Sequence, residues 1–488
     1  MPIRNVFLLI LCWCMLNQAD LNAQDLNQSL DALIQSKPLK HASVSFNLID
    51  LKDGKSIQSI NPQMALIPAS SMKVLTTSAA LGLLGKEHTF KTELYYCGNL
   101  DEDGTLTGDI ILKGYGDPTL GSDRIKGNLD LNGIFALFAQ KISEAGIHCI
   151  SGDIIIDNAA YGTAKVSPSW LWEDLGNYYA SGAWSLNINE NLYYINFQQK
   201  NKEGSLIEIK SLSPEIPFLS LKSEILAGPK GSRDNAYIFG GPHQYERYIR
   251  GSIPPGNGIF KIKGSMPDPE YFAAHQLKKA ISKMGIAHSG YLTKSTWLED
   301  EIDKTSMQLI FQHQSPSVAE IVALANSKSI NLYCDALLLE MGKRVGSPTL
   351  ENGIKAIVDF WVSKGLDKDA IFLQDGSGLS PRNSISSEAL SRLFYLVSQD
   401  KALYPSFFKS LSVAGESGTL RGMLKNSSAR GNVYAKSGYI DRVLTYTGYV
   451  HASSGNKYAF SIMINNFTGK TWPVRQKLEK LFESLYKL

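Results

Sequence analysis

Three short polar strings occur in order along the 488-residue chain, and the stretch between the first two is too long to be a simple connection. The strings are Ser70-Ser-Met-Lys73, Ser329-Ile-Asn331 and Lys436-Ser-Gly438. A chain that brings them together must fold the residues between Lys73 and Ser329 as inserted structure. This order constrains the fold more than the composition does.

The first string has the spacing of a reactive serine and its base. Residues three apart share one face of a helix, so Ser70 and Lys73 can touch. Pro68 precedes them and an apolar run over residues 74–84 follows, which predicts a buried helix with a polar pair in its first turn. Such a pair is costly to bury unless it is used. The structural alternative is an N-cap serine with a snorkelling lysine.

The same spacing recurs elsewhere in the chain, as a short pattern does by chance. Only the first copy combines the spacing with a helix-start signal and an apolar helix. The other copies are Ser398/Lys401, Ser406/Lys409, Ser454/Lys457 and Ser484/Lys487.

The second and third strings add groups that acyl transfer by a serine requires. Ser329-Ile-Asn331 separates two helix-like stretches, which predicts a polar turn presenting a hydroxyl and an amide. Lys436-Ser-Gly438 follows a strand-like run, which predicts a sheet edge that pairs with an extended peptide. At such an edge, Gly438 would let a substrate backbone approach closely.

The chain resembles the class C low-molecular-mass penicillin-binding proteins of the D-alanyl-D-alanine carboxypeptidase/endopeptidase type. The resemblance covers nearly the whole length, and beyond the three strings it rests on further blocks: Gly116-Asp-Pro-Thr-Leu120, Ile150-Ser-Gly-Asp153, Trp170-Leu-Trp-Glu-Asp174, Leu186-Asn-Ile-Asn-Glu-Asn191, Asp375-Gly-Ser-Gly-Leu-Ser380 and Val413-Ala-Gly-Glu-Ser-Gly-Thr-Leu420. It implies hydrolysis of D-Ala-D-Ala or cross-link peptide bonds of peptidoglycan through an acyl-enzyme, with β-lactams as inhibitors. Two positions depart from the usual pattern: Ile330 replaces a common aspartate and Ser437 a common threonine.

The resemblance also implies catalytic roles. Lys73, whose ammonium form is disfavoured by burial, would accept the proton of Ser70. Ser329 would relay a proton to the departing amine, with Lys436 tuning its hydroxyl. Asn331 would hold the substrate amide.

Binding roles follow from the same resemblance. Ser437 would bind the substrate carboxylate beside Gly438, and backbone N–H groups of Ser70 and Tyr439 would bind the oxyanion. Asp157 ends a strand-like run and would pair with a free amine on the stem peptide. A turn-capping role for Asp157 is the alternative.

Two other functions use the same strings. A serine β-lactamase must deacylate quickly, and such proteins usually lack a large insert. A non-catalytic wall-peptide-binding relative fits the departures at Ile330 and Ser437, although it would normally lose the nucleophile or its lysine. Turnover of nitrocefin distinguishes a β-lactamase from a carboxypeptidase. Labelling by a fluorescent penicillin distinguishes an enzyme from a non-catalytic relative.

Composition excludes several classes. The net charge of +3 is not concentrated in a basic block, which argues against nucleic acid as a partner. The eight histidines have no ligand spacing, so we expect neither metal nor cofactor. Cys97 and Cys149 are the only plausible disulfide pair, and the sequence leaves open whether they are bridged. Cys334 is expected to be buried. The oligomeric state is also left open.

The N-terminus has the three regions of a secretory signal peptide. Within residues 1–23, Arg4 precedes the apolar run Val6–Leu16, and Leu21-Asn-Ala23 follows. We expect cleavage near Ala23 and a protein exported to the periplasm or another extracytoplasmic compartment. An uncleaved N-terminal anchor, with loose membrane association, is the alternative.

The expected architecture is α+β. Strands from both ends of the chain, with the strand that bears Lys436, would form one antiparallel sheet covered by helices. The resemblance implies that this is the penicillin-recognising, serine β-lactamase-like fold, carrying β-rich inserted domains. The signal peptide is expected at residues 1–23, and the penicillin-recognising domain at residues 24–85 and 300–488. Inserted domain II is expected at residues 86–186 and 261–299, and inserted domain III at residues 187–260.

Overall fold

The structure is a computed structural model that describes residues 24–161, 166–299, 301–303 and 305–488. The predicted signal peptide, residues 1–23, lies outside the described residues. The chain divides into two compact units. Of the described residues, unit one comprises 24–83, Val322–Ser329 and Ile357–Leu488, and unit two comprises those within Leu84–Ile321 and Ile330–Ala356.

The α-helices of the described chain are given in order. They are α1 (24–34), α2 (Lys73–Leu83), α3 (Leu131–Glu144), α4 (Pro269–Lys283), α5 (Val318–Ser327), α6 (Asn331–Gly342), α7 (Leu350–Ser363), α8 (Ser387–Gln399), α9 (Tyr404–Ser410) and α10 (Thr471–Lys487). Among the described residues, no helix is long and apolar enough to cross a membrane.

The strands fall into groups from the two units. Those of the N-terminal part of unit one are β1 (Ser43–Asp50), β2 (Ser56–Ile60) and β3 (Ala65–Leu66). Those of unit two are β4 (Lys91–Leu100), β5 (Thr105–Gly114), β6 (Cys149–Ile150), β7 (Ile154–Asp157), β8 (Leu192–Gln198), β9 (Glu208–Ser213), β10 (Ser220–Ser223), β11 (Leu226–Ala227), β12 (Tyr237–Phe239), β13 (Glu246–Arg250), β14 (Ser252–Ile253), β15 (Ile259–Ser265), β16 (Ala287–His288), β17 (Leu292–Lys294) and β18 (Met307–Gln314). Those of the C-terminal part are β19 (Ile371–Phe372), β20 (Ser384–Ser386), β21 (Ser412–Val413), β22 (Val433–Ile440), β23 (Val443–His451) and β24 (Lys457–Asn465).

Unit one is built on a 6-stranded sheet in the order β2-β1-β24-β23-β22-β21. All its pairings are antiparallel, and β1 pairs with β24 along its whole length. The predicted sheet of strands from both chain ends, with the strand that carries Lys436, is therefore confirmed. A second, 3-stranded sheet has the order β19-β20-β3.

Both faces of this sheet are covered, which explains why β1 is buried on both sides. Phe46 and Leu48 join one apolar core with residues of α1 and α10. On the opposite face, Ser45 and Asn47 hydrogen-bond to serines of α8. A strand buried on both faces must satisfy its polar side chains within the protein, and α8 provides the partners.

Unit two is dominated by strands. Its largest sheet has the central order β16-β6-β5-β4-β18, with β7 and β17 attached beside β5. The helices α3 and α4 pack on it, and each begins at an aspartate N-cap: Asp130 accepts a hydrogen bond from Gly133 N–H, and Asp268 accepts one from Tyr271 N–H. Three smaller sheets have the orders β15-β8-β9, β10-β13-β12 and β11-β14.

The strand pairing bears on two predicted domain boundaries. The boundary between residues 260 and 261 falls inside β15, which pairs with β8 throughout its length. The predicted return to the penicillin-recognising domain at residue 300 precedes β18, but β18 pairs with β4 and belongs to unit two. The chain first re-enters unit one at Val322. The separation of inserted domains II and III stays a prediction.

Among the described residues, Cys97 and Cys149 are not joined by a disulfide. Cys97 pairs across β4 with Asp109 of β5, whereas Cys149 pairs from β6 with Thr105 on the other side of β5. The two residues lie two strand spacings apart across the sheet, at about 4.8 Å per spacing, and four residues apart along it, at about 3.3 Å per residue. These two perpendicular distances place their Cα atoms roughly 16 Å apart. A disulfide tolerates at most about 7 Å. The strand register therefore excludes the bridge, and Cys334 is buried as predicted.

We predict that Cys97 and Cys149 both react with a thiol-alkylating reagent in the unfolded, non-reduced protein, because the register keeps them apart. Mass spectrometry of the alkylated peptides measures the modification of each residue. A disulfide-linked peptide containing both cysteines would contradict the pairing of β4 and β6 with β5.

Candidate active site

The first string forms a tight turn that leads into a buried helix. Ala69–Met72 is a 3-10 turn, and α2 begins at Lys73. Ala69 has a φ of +46°, in the left-handed region that a residue with a Cβ rarely adopts. Such strain is found where the surrounding structure imposes a functional geometry. The turn leaves Ser70 partly exposed and buries Lys73.

Lys73 is held against Ser70 as the spacing predicts. The Lys73 side chain is 0% exposed, and its Nζ donates to Ser70 Oγ at 2.9 Å. The same Nζ donates to the carbonyl of Ser377 at 2.6 Å. An amine removed from water needs such partners, so the structure supports use of the pair rather than a snorkelling lysine.

The carbonyl of Ser377 lies in a loop that is fixed by one buried carboxylate. Asp375 Oδ1 accepts the Gly378 N–H at 2.7 Å, and its Oδ2 accepts the Ser380 N–H at 2.6 Å. Asn383 Nδ2 donates to Asp375 Oδ1 at 3.0 Å. Asp375 therefore positions a group that binds Lys73, a role that the sequence alone does not assign to it.

The other copies of the serine-lysine spacing differ from the first. Lys401, Lys409, Lys457 and Lys487 are all exposed. Ser398 and Ser484 donate to the carbonyls of Tyr395 and Leu481, one turn before them. These are local helix contacts and do not activate a serine.

The second string is the predicted turn between two helices. It begins two residues after the end of α5, and α6 begins at Asn331. Ser329 has a φ of +59°, a second left-handed residue with a Cβ. Lys436 Nζ donates to Ser329 Oγ at 2.9 Å and to the carbonyl of Ser437 at 2.6 Å. The Lys436 side chain is 0% exposed, so unit one contains two buried lysine-serine pairs.

Asn331 belongs to unit two. Its Nδ2 donates to the Tyr179 carbonyl at 2.7 Å. The Tyr179 hydroxyl donates to Asp174 Oδ1 at 2.9 Å, and burial together with this carboxylate raises the pKa of Tyr179. The hydroxyl therefore stays a neutral donor at physiological pH. This chain of contacts fixes the orientation of the Asn331 side chain.

The third string lies on a strand with a partly open edge. In the described chain, β21 pairs only with Tyr434 and Ala435 of β22, and Ala414 N–H donates to the Val433 carbonyl on that side. Backbone groups alternate in direction along a strand, so those of Ser437 and Tyr439 face the same side, beyond the end of β21. This is the open sheet edge that the sequence predicts, and it presents the Tyr439 N–H; binding of a peptide there stays a prediction.

Gly438 has a different structural role from the one predicted. A Cβ at this position would lie 2.2 Å from Thr445 Oγ1, 2.5 Å from the Pro68 carbonyl and 2.8 Å from Ser71 N. The glycine therefore allows β22 to lie directly against the turn that carries Ser70. Close approach of the protein's own backbone, rather than of a substrate, requires glycine here.

Thr419 is a candidate site residue that motif reasoning missed. Ser437 Oγ donates to Thr419 Oγ1 at 2.8 Å, and the Thr419 N–H donates to Ser412 Oγ at 3.1 Å. Thr419 itself is exposed. Its only sequence signal was its place in the block Val413–Leu420. The pair places two hydroxyls side by side, an arrangement that can bind a carboxylate.

Asp157 ends β7, and its carboxylate already contacts other groups of the protein. Its carboxylate lies 3.1 Å from Lys113 Nζ, and it accepts hydrogen bonds from the Ala159 N–H and from Ser295 Oγ, each at 3.2 Å. These contacts favour the turn-capping alternative. Pairing with a substrate amine stays a prediction.

Comparison with known proteins identifies relatives over almost the whole chain. Residues 26–481 match the family described as D-Ala-D-Ala carboxypeptidase 3 (S13). A D-alanyl-D-alanine carboxypeptidase of Actinomadura sp. is 25% identical, over 91% of this chain and 82% of the relative. The D-alanyl-D-alanine carboxypeptidase DacB of Haemophilus influenzae is 25% identical, over 99% of this chain and 97% of the relative.

A solved structure extends the likeness to the fold. Penicillin-binding protein 4 (dacB) from Haemophilus influenzae superposes with a TM-score of 0.80 and 22% identity, over 94% of this chain and 99% of that chain. That protein has also been solved in complex with a novel β-lactam. The predicted penicillin-recognising fold is confirmed.

We predict that Gly438→Ala lowers the free energy of unfolding by about 1–3 kcal/mol, because the added Cβ meets the fixed Pro68 carbonyl. Displacing the turn should also slow acylation of Ser70 by a fluorescent penicillin by about a hundredfold. Chemical denaturation and the rate of labelling measure the two effects.

Gly422→Ala is the matched control, because a Cβ at Gly422 meets no atom within 4 Å. It should leave both measurements close to those of the wild type. Normal labelling of Gly438→Ala would show that contact between β22 and the turn does not matter for the reaction.

Proposed function

The chain belongs to the D-Ala-D-Ala carboxypeptidase 3 (S13) family of serine hydrolases, and on that basis we propose how Ser70 and its neighbours hydrolyse the bond between two D-alanine residues. One observation carries the assignment of roles: two fully buried lysines, Lys73 and Lys436, each donate to a serine hydroxyl at 2.9 Å within unit one. One pair activates the nucleophile, and the other carries the proton to the leaving group.

In the acylation step Lys73, in its neutral form, takes the proton of Ser70. Ser70 Oγ then forms a bond to the carbonyl carbon of the penultimate D-alanine. The negative charge that develops on the carbonyl oxygen is stabilised by the N–H groups of Ser70 and Tyr439. The open edge of β22 supports this assignment, because the Tyr439 N–H lies beyond the last β21 pair.

Collapse of the tetrahedral intermediate breaks the C–N bond. Ser329 gives its proton to the departing amine and regains one through the Lys436 ammonium, which donates to it. The leaving group is D-alanine. Water then attacks the acyl carbon and gives a proton to Lys436, which is neutral after acylation. Lys73 returns the proton that it took from Ser70 to the Ser70 oxygen as the ester C–O bond breaks, and the shortened peptide is released.

Substrate binding uses the backbone and two hydroxyls. The groups of Ser437 and Tyr439 at the open edge pair with an extended peptide. Ser437 and Thr419 bind the terminal carboxylate, with Lys436 supplying positive charge. The resemblance assigns the substrate amide to Asn331, whose side chain donates to the Tyr179 carbonyl.

We further propose that the physiological substrate is peptidoglycan. A cross-link whose acyl group is also a D-alanine presents the same scissile carbonyl, so endopeptidase activity uses the same residues. We propose that the protein is exported, because residues 1–23 have the pattern of a signal peptide. Export is required for the enzyme to reach the polymer.

We also propose that β-lactams acylate Ser70, because the structurally similar protein from Haemophilus influenzae forms a complex with one. A serine β-lactamase remains the alternative that uses the same residues, and nitrocefin turnover tests it. The presence of both Ser70 and Lys73 weighs against a non-catalytic wall-peptide-binding protein.

We predict that benzylpenicillin forms a stable adduct on Ser70, because this serine alone combines the spacing with a buried lysine. Intact mass and peptide mapping locate the adduct. Ser70→Ala should abolish it, whereas Ser406→Ala, at another copy of the spacing, should retain it. An adduct on a different serine would contradict the assignment of the nucleophile.

We predict that Lys436→Ala lowers kcat/KM by about a hundredfold or more, because it removes both the charge facing the carboxylate and the donor to Ser329. Ser437→Thr should stay within a few-fold of the wild type, because it retains the hydroxyl. Release of D-alanine from a pentapeptide ending in D-Ala-D-Ala is measured for both. Near-normal activity of Lys436→Ala would remove this lysine from the mechanism.

A further inference from the structure

Unit two carries a cluster of aromatic side chains that its core does not use. Phe218 is 69% exposed and Trp297 is 54% exposed, although both are large apolar residues. Phe218 stacks on Tyr271 with ring centroids 6.2 Å apart and planes at 21°, and Tyr271 lies 5.2 Å from the Trp297 ring. We call this surface the aromatic platform; its members are Phe218, Tyr245, Tyr271, His275 and Trp297.

The fold holds these rings in place. Tyr271 and His275 are four residues apart on α4 and therefore share one face of the helix, with ring centroids 4.8 Å apart. Lys294 Nζ lies 4.2 Å from the centre of the Trp297 ring, and the same Nζ is fixed by Asp268 at 2.6 Å. The Trp297 ring is thus supported by a buried charge beneath it, and little of its side-chain entropy remains to be lost on binding.

Phe218 is held at the surface at a cost. Its φ is +66°, in the left-handed region. A bulky residue there is strained by about 1–3 kcal/mol. Because its ring is mostly exposed, core packing does not offset the strain. An exposed and strained aromatic residue is typical of a binding surface.

A polar groove of about 850 Å³ adjoins the platform. The groove and the platform share His275, and Pro217 of the groove wall is the neighbour of Phe218. Amide side chains such as Asn132 and Gln276 line the groove and offer both donors and acceptors. A volume of this size lies within the range of ligand-binding clefts.

The charges of the groove indicate a neutral ligand. Three carboxylates face two lysines along its walls: Asp123, Asp130 and Glu215 with Lys278 and Lys279. Burial and the nearby Lys278 lower the pKa of His275, so its ring is uncharged at neutral pH. A groove for a polyanion would carry an excess of positive charge, and this one does not.

We infer that the aromatic platform and its groove bind the glycan strand of the polymer whose peptides the active site cleaves. A pyranose ring has an apolar C–H face and a rim of hydroxyl and acetamido groups, which match flat rings beside mixed donors and acceptors. The inference rests on the proposed function, because that function makes a glycan-linked peptide the substrate. A soluble peptide without sugar would not need this surface.

The experiment separates glycan binding from peptide hydrolysis. Binding of the β-1,4-linked tetramer of N-acetylglucosamine to the full-length protein is measured by isothermal titration calorimetry. Phe218→Ala and Trp297→Ala should each weaken binding by about tenfold, since each removes a stacking face. Tyr291→Ala is the matched control: Tyr291 is 81% exposed, precedes β17, and contributes no ring to the platform.

The same variants are assayed on two substrates. Release of D-alanine from a soluble pentapeptide should be unchanged within twofold in all of them. On intact sacculi, Phe218→Ala and Trp297→Ala should raise the apparent KM several-fold with little change in kcat. Melting temperatures check that each variant is folded, and Trp297→Phe should restore most of the binding.

The outcomes are distinct. Failure of the wild type to bind the tetramer, or equal binding by Phe218→Ala and Tyr291→Ala, would overturn the inference. A concentration-dependent dimer that Phe218→Ala dissociates, without sugar binding, would overturn it and assign the platform to self-association. If the wild type releases no D-alanine from the soluble pentapeptide, the proposed function is wrong. The calorimetric measurement of sugar binding is independent of that result.

Discussion

The burial of two lysine side chains next to two serines is the condition on which the rest of the site depends. A lysine amine, charged or neutral, loses favourable hydration on leaving water unless hydrogen bonds replace that water. Lys73 and Lys436 each find a serine hydroxyl and a backbone carbonyl. The positions of those four acceptors must therefore be fixed by the fold, because a displaced acceptor would leave a buried amine without compensation.

The fold fixes them through strained turns that lie against well-packed elements. Ala69 and Ser329 both adopt left-handed backbone conformations, and each is next to or part of a serine string. The apolar body of α2 is buried along most of its length, which offsets the strain of the turn before it. On the other side of Lys73, Gly378 has a φ of +80°, and a Cβ there would lie 2.0 Å from the Ala69 carbonyl. Two tight backbone segments thus hold each other in place.

Local patterns in the sequence predicted much of this arrangement. The helix after Ser70, the turn at Ser329 and the strand at Lys436 each carry a signal within a few residues, so they were predictable. The roles of Asp375 and Thr419 were not, because they depend on contacts between separate parts of the chain: the Ser377 carbonyl with Lys73, and Thr419 with Ser437. The same limit applies to Gly438: the residue type was evident, but its neighbour, the Pro68 carbonyl, is set by tertiary packing. Strand register likewise decided the state of Cys97 and Cys149, and no spacing in the sequence encodes it.

The early end of β21 has a consequence for selectivity. A peptide that continues the row of hydrogen bonds beyond β21 acts as the missing strand of the sheet, and every peptide offers the same amide groups for that purpose. Affinity gained in this way does not depend on side-chain identity. In the proposed mechanism, discrimination among peptides must then come from the few groups that contact side chains or chain ends, such as Ser437 and Thr419. The exposed row is also a template for another polypeptide edge, so a substrate bound there as proposed would protect the sheet from unwanted pairing.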